Sequence, residues 1–178
     1  MNSPAPLTKQ QKDALAQALL EAIRRKDIAM VEGSLKMGAD AAEPINNGRS
    51  SLHWAMTKEN FSQPVVEILL RNVPTVDARD GSSHTPLMTA LNENNLDAVC
   101  FLLKKGADPL AQNREGRVAL EMARGKEDKR FLQLLLTIQP DPKTAADDFN
   151  SAVTKEDMKI EPPFKLKDSP KKDGGIDL

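Results

Sequence analysis

The stretch His84-Thr-Pro-Leu-Met-Thr-Ala-Leu-Asn-Glu-Asn-Asn-Leu-Asp-Ala-Val-Cys-Phe-Leu-Leu-Lys-Lys-Gly-Ala-Asp108 decides how this chain folds. Thr85 is placed to accept the unpaired N–H groups of a helix start, and Pro86 fits the first helical position, where a missing N–H costs nothing. Leu87, Ala90 and Leu91 follow at helical spacing, and Asn92 to Asn95 then favour a turn. A second helix is predicted from Ala98, Val99, Phe101, Leu102 and Leu103. Lys104 and Lys105 suit its negative end, and Gly106 can take the left-handed conformation that stops it. A two-helix hairpin with stripes this short cannot enclose a core alone, so it needs copies of itself on either side.

The copies are in the sequence. Leu87 recurs as Leu120 at a spacing of 33 and as Leu52 at a spacing of 35. Gly48-Arg-Ser-Ser-Leu-His-Trp-Ala55 and Val65-Val-Glu-Ile-Leu-Leu70 fill the helix slots of the earlier unit, which has two extra residues between its helices. Asn113 to Ala123 and Phe131 to Leu136 fill those of the later one. Gly38-Ala-Asp40 stands 68 residues before Gly106-Ala-Asp108 and closes a first unit, whose helices are predicted over Leu19–Arg25 and Ile28–Met37. A period near 33 carrying Thr-Pro-Leu, Leu-His-x-Ala and Gly-Ala-Asp resembles the ankyrin repeat. The resemblance covers roughly residues 8 to 141 and implies an all-α solenoid with projecting hairpin-like loops.

On this reading residues 1–7 are a flexible leader and residues 8–141 form the repeat domain, divided at about 8–44, 45–79, 80–112 and 113–141. Residues 142–178 form a tail. Thr8 is the predicted cap of a long first helix, with Leu15, Ala18, Leu19, Ala22 and Ile23 on its apolar side and polar residues elsewhere, as suits an end unit. The last unit is also marked as an end: Val118-Ala119 replace Thr-Pro, Glu121 replaces His, and Lys126 to Arg130 make a charged turn. In the second unit Val73-Pro74-Thr75 replaces Gly-Ala-Asp, and a Val73 held left-handed would weaken that junction by roughly 1 kcal/mol. Phe61, in the lengthened turn, is placed either to cover apolar surface or to serve as an additional contact point. In the tail, Ala145, Phe149 and Val153 predict a short helix over 144–153, and the composition from Lys155 onward predicts disorder. Ser169-Pro-Lys-Lys172 there matches a short proline-directed phosphorylation pattern, and Met158-Lys-Ile-Glu161 a SUMO acceptor pattern.

Composition narrows the function. Lys and Arg number 25 against 26 Asp and Glu, leaving no overall basic field for nucleic acid. No long apolar run predicts a membrane span, and no secretory pattern opens the chain, so a cytoplasmic monomer is the expectation. The single cysteine, Cys100, excludes an internal disulfide and is read as a packed helix residue. No metal-spaced cluster, phosphate loop or nucleophile elbow occurs, so catalytic residues, cofactors and metal ligands are all expected to be absent. His53 holds the Leu-His position, where the resemblance implies a hydrogen bond to backbone between repeats. His84 is placed at a loop base and expected to be exposed.

The resemblance further implies a non-catalytic protein-binding module that uses a concave groove lined by loop tips and the exposed sides of first helices. Mapping those positions by the repeat register selects Arg24 and Arg25 in the first unit, and Asn46, Asn47, Arg49 and Lys58 in the second. It selects Arg79, His84, Asn92 and Glu93 in the third, and Arg114, Glu115, Arg117 and Lys126 in the fourth. Basic residues dominate, so the expected partner is another protein offering an acidic segment. Trp54 has two readings: an anchor in the groove, since tryptophan is enriched among interface hot spots, or a ring packed between repeats. The alternatives are an inhibitor or adaptor that blocks or recruits an enzyme, or a secreted effector acting on host proteins.

Overall fold

The computed structural model describes residues 7–45 and 48–137. Eight helices follow one another: α1 (Lys9–Arg25), α2 (Ile28–Lys36), α3 (Ser51–Ala55), α4 (Gln63–Arg71), α5 (Pro86–Asn92), α6 (Leu96–Lys104), α7 (Ala119–Arg124) and α8 (Arg130–Thr137). They pair as four hairpins, with α1, α3, α5 and α7 in one row, and with α2 against α4 and α6 against α8 in a second row. The only strand-type pairing among the described residues is an isolated antiparallel bridge between Gln112 and Val118. The chain is thus an all-α stack.

Local chemistry starts and stops the helices. The Thr85 hydroxyl accepts from the Met88 N–H with Pro86 at the first position of α5, and the Asn95 side chain accepts from the Ala98 N–H to open α6. Thr8 caps α1 in a reciprocal arrangement with Gln11, and the Asp27 side chain accepts from the Met30 N–H at the start of α2. Gly38 and Gly106 take φ of +99° and +84° after α2 and α6, where an L side chain would clash with its own backbone.

Leu19, Leu52, Leu87 and Leu120 are all fully buried in a single apolar cluster that runs through the four hairpins. No hairpin could bury these leucines alone, so each unit is stable only as a neighbour of the next. In the second row the lengthened turn brings Phe61 edge-on to Phe101, with ring centroids 6.2 Å apart. Phe61 is partly buried and packs against the apolar cluster, the first of the two roles open to it.

Val73 does not behave as the sequence suggested. The non-glycine residues with positive φ among those described are Lys26, Ser83 and Asn94. The last turn of α4 is closed instead by Asn72, at φ −112°, whose side-chain amide donates to the Ile68 carbonyl at 2.8 Å. Pro74 independently disfavours helical backbone at the residue before it. The left-handed requirement falls on Ser83, at +62°, which occupies the register position of Gly48 (+72°) and Gly116 (+75°).

At the far end, α7 lacks a side-chain cap; the Glu121 carboxylate accepts the Val118 N–H at 3.4 Å. The register places Glu121 and Arg124 where the inner units bury His53 and Met88, and Met56 and Leu91. Charge in those positions is what a terminal unit requires. The leader up to Pro6, Asn46, Asn47, Gln139-Pro140-Asp141 at the register position of Gly106-Ala107-Asp108, the helix expected over 144–153 and the tail motifs lie outside the described residues.

Candidate functional site

The connectors between hairpins repeat one backbone contact. The N–H of Ile45 donates to the Arg49 carbonyl at 2.9 Å, that of Asp80 to His84 at 3.0 Å, and that of Asn113 to Arg117 at 3.0 Å. Two of the tips are built alike. Asp80 Oδ1 accepts from the N–H groups of Ser82 and His84, both at 2.8 Å, and Asn113 Oδ1 accepts from Glu115 and Arg117, both at 2.9 Å. Asp80 and Asn113 are 33 residues apart, the spacing that also separates Leu87 from Leu120.

Neighbouring tips are then linked. Gly81 N–H donates to the Gly48 carbonyl at 3.1 Å and Arg114 N–H to the Ser82 carbonyl at 3.2 Å. A Cβ on Gly48 would lie 2.8 Å from the Gly81 backbone, so the close approach of the tips demands glycine as much as the positive φ does. Arg79 donates to the carbonyls of Ser83 and Gln112, tying one tip to the next. The result is a row of fixed tips beside the ends of the first helices.

Two buried side chains hold the second unit to the third. His53, fully buried, has Nδ1 2.8 Å from the Ser50 hydroxyl and Nε2 3.0 Å from the His84 carbonyl. A carbonyl only accepts, so Nε2 carries the proton and Nδ1 accepts from Ser50. Burial pushes the His53 ring below its ordinary range, against the opposing pull of the His84 carbonyl. The ring therefore has the inter-repeat role that the resemblance implied. Asn95 was not anticipated: besides capping α6, its amide donates to the Met56 carbonyl at 3.0 Å and the Thr57 carbonyl at 3.4 Å. Asp77 makes a related link, accepting from the Asp108 N–H at 3.2 Å; burial raises its carboxyl above the usual range despite that bond.

The expected exposure of His84 is corrected. Its side chain keeps only 25% of its accessible surface, with Nδ1 3.7 Å from Asp80 and Nε2 3.4 Å from the Asn113 amide, because its loop is clamped between neighbours. Cys100 is half-buried on α6. Trp54 is also half-buried; the Arg49 guanidinium lies over its ring at 5.8 Å, and its Nε1 is buried without a hydrogen-bond partner.

Seven of the candidates fall into two rows by register. Arg49, His84 and Arg117 share the loop-base position, and Arg25, Lys58, Glu93 and Lys126 the first-helix ends. Their charges are unequally compensated. Arg24 and Arg25 both face Glu21, at 4.0 and 2.7 Å, and Arg117 pairs with Glu115. Lys126 donates to the Asn94 side chain at 2.7 Å and approaches the Phe131 ring. Arg49, Lys58, Arg79, Arg114 and Lys126 have no carboxylate partner among the described residues. Asn92 is exposed beside the half-buried Glu93, while Asn46 and Asn47 fall outside the described residues.

Among the described residues no group of three or more His, Cys, Asp or Glu is arranged to hold a metal ion, and no helix is long and apolar enough to cross a membrane.

The family model for ankyrin repeats in three copies matches residues 19–113, more than half of the chain. A transient receptor potential cation channel subfamily A member 1 homolog of Caenorhabditis elegans is 34% identical over 116 residues, 65% of this chain and 9% of that protein. A putative ankyrin repeat protein of Rickettsia felis is 36% identical over 95 residues, 53% of this chain and 25% of the relative. The palmitoyltransferase Hip14 of Drosophila melanogaster is 32% identical over 99 residues, 55% of this chain and 15% of the relative. The chain thus spans a quarter or less of the length of each of these three. Ankyrin repeats are generally protein–protein interaction modules, and the family is typically non-catalytic. With its period, its four stacked hairpins and its linked tips, the chain belongs to the ankyrin repeat family.

Proposed function

We propose that this stack is a non-catalytic module that binds another protein along the side formed by the loop tips and first-helix ends, and that the partner contributes an acidic segment. The observation that carries this reading is the pairing of Arg49 with Trp54: a cation held over a half-buried aromatic ring, beside a row of tips fixed by their own backbone bonds. Such a pair offers an apolar plate and a guanidinium fork together, the combination that anchors protein interfaces. Lys58 in the same unit, and Arg79, Arg114 and Lys126 further along the stack, have no carboxylate partner among the described residues. Tips already ordered lose little freedom on binding, which favours affinity without induced folding.

The test is capture by the immobilised chain. Wild type is expected to retain a protein that both Trp54→Ala and the double variant Arg49→Glu/Arg114→Glu lose, while circular dichroism shows the helices of each variant intact. Retention of every captured protein by both folded variants overturns the reading.

A further inference from the structure

The positive charge on the tip side is not spread evenly along the stack, and its spacing specifies the partner further than its sign does. The second unit presents Arg49 and Lys58, and the fourth presents Arg114 and Lys126. Between them the third unit has Glu93 at the helix-end position and, at the loop base, His84 beside Asp80. Arg79, which immediately precedes the third unit, has its guanidinium directed at the Ser83 and Gln112 carbonyls. In the first unit Glu21 sits against both Arg24 and Arg25. Two basic poles therefore stand two repeats apart, with a neutral-to-acidic step between them.

Packed helices lie about 8–10 Å apart, so two repeats cover about 16–20 Å. A segment in polyproline II conformation rises about 3.1 Å per residue with three residues per turn, so six residues cover about 19 Å and residues i, i+3 and i+6 point the same way. A β-strand of six residues spans about 20 Å and also returns i+6 to the face of i, but its i+3 side chain points the other way and cannot address the unit in between. An α-helix needs about 12 residues for the same span. The polyproline II form also leaves its backbone groups to water, and the described tips direct backbone N–H groups at themselves and at each other.

We infer that the segment bound on this side is extended, polyproline II-like and acidic at positions i and i+6, with a neutral or basic residue at i+3 facing Glu93. This deepens the proposed function and rests on it. The i residue meets Arg49 and Lys58 beside Trp54, and the i+6 residue meets Arg114 and Lys126.

Trp54 is the sole tryptophan and there is no tyrosine, so intrinsic fluorescence reports on the anchor directly. The full chain is titrated with three synthetic proline-rich peptides of equal net charge, with acidic pairs placed at i and i+6, at i and i+3, or adjacent. The i/i+6 peptide is expected to bind about three- to tenfold more tightly than the others, the range two exposed charge pairs supply. Glu93→Lys is expected to raise the affinity of the i/i+3 peptide to that of the i/i+6 peptide. Equal affinities for all three, each lost in Arg49→Glu, overturn the spacing and leave the acidic-partner reading in place. No response from Trp54 to any acidic peptide overturns both.

Discussion

The junction between the second and third units and the junction between the third and fourth occupy equivalent places in the stack, yet they are held by different chemistry. In the first, a buried histidine and a buried asparagine reach across to backbone carbonyls. In the second, Met88 stands at the histidine's register position and is fully buried, while the asparagine's counterpart is Asp128, which pairs with Arg130 at the surface. Both junctions close the same gap between hairpins. A polar solution fixes geometry through directional bonds and is costly to break, whereas an apolar one tolerates change at the rim and depends on its leucines.

The largest effects should erase this contrast. Leu87→Ala and Leu120→Ala each remove a fully buried side chain from the shared spine and are expected to destabilise the domain by about 2–5 kcal/mol in urea denaturation. A cost below 1 kcal/mol for either would show that the spine is not continuous.

The contrast sharpens at the register pair Asn95 and Asp128. Asn95→Ala strands two carbonyls and a helix-start N–H, an expected loss of about 2–4 kcal/mol. Asp128→Ala removes a solvent-exposed pair and a local turn contact and is expected to shift the urea midpoint far less than Asn95→Ala. Equal losses in matched urea titrations would mean that the buried network gives the earlier junction no special dependence.

Acid should act through the histidine junction. The folded state holds His53 below its ordinary range, so the unfolded chain binds more protons once pH falls through about 6.5, and stability declines there. The decline from this one site stops once pH is below the folded-state value. It cannot exceed about 1.4 kcal/mol per pH unit. His53→Met, which copies the Met88 solution, is expected to flatten the difference between stability at pH 7.5 and at pH 5.5; an unchanged pH dependence would assign it to other groups.

The smallest effect concerns backbone. Ser83→Gly relieves a left-handed serine at the position where Gly48 and Gly116 already stand, and should stabilise by up to about 1 kcal/mol. Gly116→Ala should destabilise by a similar amount, read as opposite shifts in melting temperature.

Much of this was legible without coordinates, because a repeat writes its core several times. Leu52, Leu87 and Leu120 announced the spine, Thr85-Pro86 and Gly106 the limits of the third unit, and the register gathered Arg49, His84 and Arg117 into one row. What escaped was set by partners across a junction. Asn95 looked like a turn residue, since nothing local shows that its amide reaches the Met56 carbonyl. Val73 drew attention as a non-glycine helix stop, while Asn72 had already closed the turn. The compensation of Arg24 and Arg25 by Glu21 required knowing which side chains meet.

The sequence by itself determined the repeat, the helix ends that carry their own caps and the identity of the buried leucines, because periodicity and capping act within a few residues or recur at a fixed interval. Only the tertiary structure decided which polar groups are buried, which loop residues bear positive φ and which charges remain uncompensated. Those depend on distances between units, and a lone hairpin contains none of them.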